Sequence, residues 1–185
     1  MIPVLNSPPC VGGYHRCMKG WERVMLLSPS RADWIIFQLE GVLVDVHNKT
    51  TPAAPESAAG SSPSVDEPPT TAPKALFNAR WDKLPLPVGV VAADKNALAE
   101  GLAALGWQDL PRSRSAVVPA DGSLEAFCRD MGCRLPLVIG STPVMFDLFM
   151  RLDRGDFVAV GKGVTQCPIR FTTAADALRA IFGVV

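Results

Sequence analysis

Between Trp34 and Asp45 the chain reads Trp-Ile-Ile-Phe-Gln-Leu-Glu-Gly-Val-Leu-Val-Asp. The apolar run Trp34–Phe37 does not alternate, which is the pattern of a parallel strand covered on both faces. Gln38 and Glu40 follow at its carboxyl end. Their spacing of two puts both side chains on one side of an extended chain. Open α/β sheets bind their ligands at that end of the strands. Gly41 then breaks the run before Val42-Leu43-Val44. The stretch predicts a buried strand that ends in a small polar site.

The remainder of the chain can be read as strands alternating with amphipathic helices. A second buried strand is expected over Leu86–Ala92, with Pro85 and Pro87 at its start, where a missing N–H is tolerated. Asp94 caps a helix reaching Leu105, with Leu98, Leu102 and Leu105 on one stripe and Gly106 as its stop. A short third strand, Ala116–Val118, precedes a helix capped by Ser123. Leu124, Phe127, Cys128 and Met131 line that helix, and Gly132 ends it. Pro136–Gly140 is the fourth strand, and Thr142-Pro143 opens a helix with Val144, Leu148 and Leu152 on one face. Phe157–Val160 is the fifth strand. Thr173 and Asp176 make a capping-box start for a last helix that buries Leu178, Ile181 and Phe182. This order predicts a three-layer α/β domain, Rossmann-like, around a parallel sheet of about five strands.

The opening stretch resembles the first motif of the haloacid dehalogenase (HAD)-like superfamily of phosphohydrolases, a hydrophobic strand followed by Asp-x-Asp-Gly-Val/Thr-Leu. The layout from Trp34 to the C-terminus, the proline-rich segment 50–73 excepted, is also similar to that family's core. In the family the first Asp is the nucleophile, the second is the general acid/base, and both lie beside Mg2+. Gln38 and Glu40 hold those positions here. The resemblance implies a Ser or Thr after the second strand, where this chain has Val91-Ala92-Ala93. It implies a Lys after an Asp-Gly pair, but Asp121-Gly122 is followed by Ser123-Leu124-Glu125. It implies a Gly-Asp with further carboxylates, but Gly140-Ser141-Thr142-Pro143 stands there and Asp147 is the first acid.

Those departures remove one chemistry. An amide cannot attack phosphorus to form an acyl phosphate. With Ser141 in place of a carboxylate, Glu40 and Asp147 are the weak candidates left for Mg2+, which is commonly anchored by one or two carboxylates. Phosphoryl transfer depends on positioning and electrostatics, so the resemblance implies a vestigial pocket at Gln38, Glu40, Ala93 and Ser141. No catalytic residue and no cofactor are expected. Binding would fall to Gln38, Glu40, Gly41, Ser141 and Thr142, the last two offering donors at a helix N-terminus.

Composition narrows the partners. With 18 basic and 18 acidic residues the formal charge is zero, which argues against nucleic acid as the main partner. No apolar run is long enough to span a membrane, and the N-terminus lacks the basic-then-apolar order of a signal peptide. A cytoplasmic location is expected. Hydrophobic residues make up 48% of the 185, enough for one sizeable core. The expected organisation is an extension over 1–31 and a HAD-like domain over 32–185, interrupted by segment 50–73. That segment carries six prolines and Val65 as its one large apolar side chain, so it is expected to be a flexible linker. It stands where related enzymes insert a helical cap, and no cap is expected here.

Five cysteines show no zinc spacing; Cys10, His15 and Cys17 make a poor set, and the thiols read as buried or incidental. His47 reads as a surface residue, and Gly161-Lys162-Gly163 as an ordinary turn lacking phosphate-loop spacing. Three functions follow in order of preference. The first is a non-catalytic HAD-like protein bound to another protein in a regulatory or structural role. The second is an active phosphohydrolase on a small phosphomonoester, drawing carboxylates from Glu40, Asp45, Asp94 and Asp147. The third is a module binding an anion or small phosphorylated ligand.

Overall fold

The computed structural model describes residues 31–45, 72–118 and 123–183. Cys10, His15, Cys17, His47, Asp121 and Gly122 lie outside the described residues, as do the extension up to residue 30 and the proline-rich segment up to Thr71.

Trp34–Gln38 is the first strand, β1, and its residues from Ile35 onward are buried. The chain then makes a two-residue pair, β2 (Val44–Asp45) with β3 (Lys74–Ala75), before β4 (Val88–Ala92) and helix α1 (Lys95–Ala104). Next come β5 (Ser115–Val117), α2 (Ser123–Asp130), β6 (Pro136–Gly140), α3 (Pro143–Met150), β7 (Asp156–Val160), β8 (Arg170–Phe171) and α4 (Ala174–Phe182). Six strands form one sheet in the order β5-β4-β1-β6-β7-β8, and every pairing in it is parallel. Counted along the chain within that sheet, the order is 3-2-1-4-5-6, that of doubly wound α/β proteins. The chain reverses direction of growth between β1 and β6, so their carboxyl ends flank the switch point.

Alternation along β1 divides the core into two layers. Ile35 and Phe37 face a cluster with Val90, Ile139, Val158 and the α4 residues Ala177 and Leu178. Leu98 and Leu102 of α1 pack on the same cluster. Ile36 faces the other way, onto Val138 and Phe157, covered by Leu124 and Phe127 of α2 and Met145 and Leu148 of α3. Each such side chain, fully buried, contributes about 1.5–3 kcal/mol. The fold is therefore a sheet between two helical layers. The chain returns to the core after β3 through Phe77, whose ring meets Phe37 at 5.8 Å and Trp107 at 6.0 Å. The Trp107 indole N–H donates to the Ala79 carbonyl at 3.1 Å, so the aromatic group is closed without a stranded polar atom.

Helix ends follow the local chemistry. Asp94 accepts from the amides of Asn96 and Ala97, both at 2.8 Å. Thr173 accepts from Asp176 N at 3.1 Å, and its hydroxyl donates to the Asp176 carboxylate at 2.8 Å. Gly106, Gly132 and Gly183 take positive φ after α1, α2 and α4, the conformation that closes a helix with glycine.

Three details depart from expectation. The sheet has a sixth strand, because Arg170 and Phe171 pair with Ala159 and Val160; two residues carry no readable periodicity. The second strand begins at Val88 rather than Leu86, although the Pro87 carbonyl still accepts from Ile35 N at 2.9 Å. Val144 is 55% exposed; α3 buries Leu148 as expected, with Met145 in place of Val144. Both stripes have helical spacing; the docking of the helix N-terminus onto β1 selects the rotation.

Candidate functional site

Gln38 is the last residue of β1 and, among the described residues, the single polar side chain that is buried, at 8% exposure. Opposite it, β6 ends in Gly140. A Cβ there would come within 2.8 Å of the Phe157 ring and 3.0 Å of Met145, so only glycine lets the strand end this close to its neighbours. The chain then turns, and Thr142 caps α3 by accepting from Met145 N at 3.2 Å, with Pro143 at the first helical position. This geometry aims the donors preceding α3 at β1. Gln38 Oε1 accepts from Ser141 N at 2.9 Å, from Thr142 N at 3.3 Å and from the Thr142 hydroxyl at 3.3 Å. A neutral oxygen thus sits where a helix N-terminus otherwise receives an anion.

Glu40 lies two residues on and is half-buried. Its Oε1 accepts from Ala93 N at 2.8 Å, the first residue beyond β4. Its backbone carbonyl accepts from the Ser141 hydroxyl at 2.9 Å. Gly41 takes φ +73°, and a Cβ on it would lie 2.7 Å from Ser141 Oγ; both facts require glycine there. The turn closes on itself, with Leu43 N and Val44 N donating to the Leu39 carbonyl at 3.0 Å and Gly41 N to the Val44 carbonyl at 2.8 Å. It delivers the chain to β2, which pairs antiparallel with β3, Val44 opposite Ala75 and Asp45 opposite Lys74. On the far side, Gly161 turns with φ +75°, and a Cβ on Gly163 would collide with the Ser141 carbonyl oxygen. Gly161-Lys162-Gly163 is a turn packed against the site backbone.

The structure brings together Gln38, Glu40, Gly41, Ala93, Ser141 and Thr142. It leaves the other carboxylates apart. Asp94 is occupied as the cap of α1, Asp147 is exposed in the middle of α3, and Asp45 lies on β2. Among the described residues no three His, Cys, Asp or Glu side chains gather as a metal site. With Glu40 held on Ala93 N, the donor set at the switch point does not fit Mg2+, a cation that needs near-octahedral oxygen ligation. The arrangement holds the ends of β1, β4 and β6 together through side-chain hydrogen bonds.

A second gathering of polar groups, at the amino-terminal end of β1, escaped the reading of the sequence. Asp33 accepts from Arg134 N and Leu135 N, both at 2.9 Å, and from the Cys133 thiol at 3.6 Å. Cys133 N in turn donates to the Cys128 carbonyl at 2.8 Å. The available signal was the glycine between two cysteines at a helix end.

No protein-family model matches this chain, and no curated protein matches it. Among the described residues no helix is long and apolar enough to cross a membrane.

Proposed function

We propose that this chain is a catalytically silent protein of the HAD-like phosphohydrolase type that works by binding, with another protein as its partner. The observation that carries the reading is Gln38, whose amide oxygen occupies the three donors preceding α3. In an enzyme of that type, a carboxylate at this position attacks phosphorus, and the crevice must stay open to phosphate and Mg2+. An amide has no such nucleophilic oxygen, and its hydrogen bonds close the crevice from inside. The same occupation disfavours a simple anion-binding module, since a phosphate would have to displace a bonded side chain. A protein partner is supported by the exposed large apolar side chains. Leu76, Val117 and Val144 are 45%, 37% and 55% exposed, and they belong to β3's exit, the end of β5 and the first turn of α3. All three elements meet the carboxyl-terminal rim of the sheet.

The test is hydrolysis of a broad phosphomonoester panel with Mg2+, comparing the natural chain with a Gln38→Asp/Ser141→Asp double variant. Silence of the natural chain with weak activity in the variant is the expected result. Mg2+-dependent turnover by the natural chain that disappears in Glu40→Ala would overturn it.

A further inference from the structure

We propose that Cys128 and Cys133 form a dithiol site that exchanges with a small anionic disulfide, which an arginine-lined cavity beside them receives, and closes to a disulfide within the chain. The inference is independent of the function proposed above and concerns the opposite end of β1.

The geometry comes from how α2 ends. Gly132 has φ +70°. Cys133 N donates to the Cys128 carbonyl at 2.8 Å and Gly132 N to the Arg129 carbonyl at 3.0 Å. This pair of bonds is a Schellman closure, in which the side chains at the two ends of the longer bond normally make an apolar contact. Here both ends are cysteines. With the 2.8 Å bond between them, standard bond lengths limit their Cα separation to less than about 6.7 Å. Disulfides bridge Cα atoms roughly 4.4–6.8 Å apart. Both thiols are free, and the helix closure holds their backbones within the span a disulfide bridges.

The two sulfurs are not equivalent. The Cys133 S–H donates to Asp33 Oδ1 at 3.6 Å, and the adjoining Cys133 thiol holds the Cys128 thiol below its ordinary pKa. The neighbouring Cys128 thiol, burial and the Asp33 carboxylate push Cys133 up. The thiolate is the nucleophile in disulfide exchange, which assigns attack to Cys128 and resolution to Cys133. Both line a cavity of about 450 Å³. Arg129, Arg134, Arg151 and Arg154 also line it, against Glu125 and Asp153. That excess of positive charge favours an anionic disulfide over a neutral one.

The steps balance. The Cys128 thiolate attacks one sulfur of RSSR; the S–S bond breaks, and RS⁻ leaves with its electron pair and is protonated to RSH. Cys133 then loses its proton to water. The Cys133 thiolate then attacks the Cys128 sulfur and expels the second RS⁻, which takes up a proton. The dithiol is oxidised to a disulfide, and RSSR is reduced to two RSH.

The reduced full-length chain is exposed to oxidised glutathione, or to neutral 2-hydroxyethyl disulfide, then alkylated and digested with trypsin. Cleavage at Arg129 and Arg134 separates the two cysteines, so their bond appears as two linked peptides. Expected are that linked pair, formed about tenfold faster with glutathione disulfide, and glutathione trapped on Cys128 in Cys133→Ser. Modification elsewhere with Cys128 and Cys133 still reduced would overturn the proposal, a result that needs no variant to fold. Equal rates with the two disulfides would overturn the role of the arginines.

Discussion

At the carboxyl end of β1, polar groups consume one another: Gln38 Oε1 takes three donors, Ser141 Oγ binds the Glu40 carbonyl, and the Glu40 carboxylate binds Ala93 N. At the amino end, Asp33 accepts from two backbone amides and the Cys133 thiol, and both thiols line a cavity with four arginines. A doubly wound sheet normally binds at the first of these places. In this molecule the polar side chains of that place bond to the chain itself, and two free thiols lie at the other. The comparison teaches that topology marks where a site can be built, whereas the side chains decide whether it stays open.

The largest effect is expected from Gln38→Leu, which keeps the volume and strands the donors of Ser141 and Thr142. Leaving buried donors unpaired costs about 1–3 kcal/mol, so a loss of about 2–3 kcal/mol is expected in urea unfolding. No loss would mean that water already satisfies those donors and that the crevice is open. Gly163→Ala comes next, at about 2 kcal/mol, because its methyl meets the Ser141 backbone carbonyl rather than a yielding side chain. An unchanged midpoint would separate the Gly161–Gly163 turn from the site.

Asp33→Asn tests the other end. The amide still accepts from one backbone N–H, so a stability loss of about 1 kcal/mol is expected. Without the carboxylate, which disfavours the Cys133 thiolate, closure of the mixed disulfide should quicken several-fold, and more than its formation on Cys128. Unchanged rates of both steps would make Asp33 a structural residue only.

The smallest effect is expected at a surface group outside both ends. The Trp81 indole N–H and the Arg80 guanidinium, at 3.1 and 2.6 Å, hold the Asp109 carboxyl below its ordinary value. A folded pKa depressed in this way adds stability above the unfolded pKa of about 4 and loses it as pH falls through the folded value. The natural chain should therefore exceed Asp109→Asn slightly in urea midpoint at neutral pH, and the gap should close in acid. Both partners are about half exposed, so the gap should also shrink with salt. A large, salt-insensitive gap would contradict a surface role.

Much of the fold was legible because its signals are local. The unbroken apolar run of Ile35–Phe37 has no other stable home than between two layers, and caps such as Asp94 and Thr173 act within a few residues of themselves. The place of the candidate site was legible for the same reason, since Gln38 and Glu40 end a buried strand. What Gln38 does was not, because its partners are more than a hundred residues away, and only sheet formation brings the start of α3 to it. The rotation of α3, which exposes Val144 and buries Met145, depends on that same docking.

Sequence alone determined the alternation of strands and helices, the buried first strand and the amide and carboxylate, Gln38 and Glu40, that follow it. These follow from side-chain chemistry and periodicity, which need no neighbour. Tertiary structure alone decided that the switch-point donors are filled by the chain's own amide, and that Asp33 meets Cys133 across the head of β1 and β6. Hydrogen bonds and thiol contacts act over a few ångströms, and the chain reaches such distances only after its distant segments have packed.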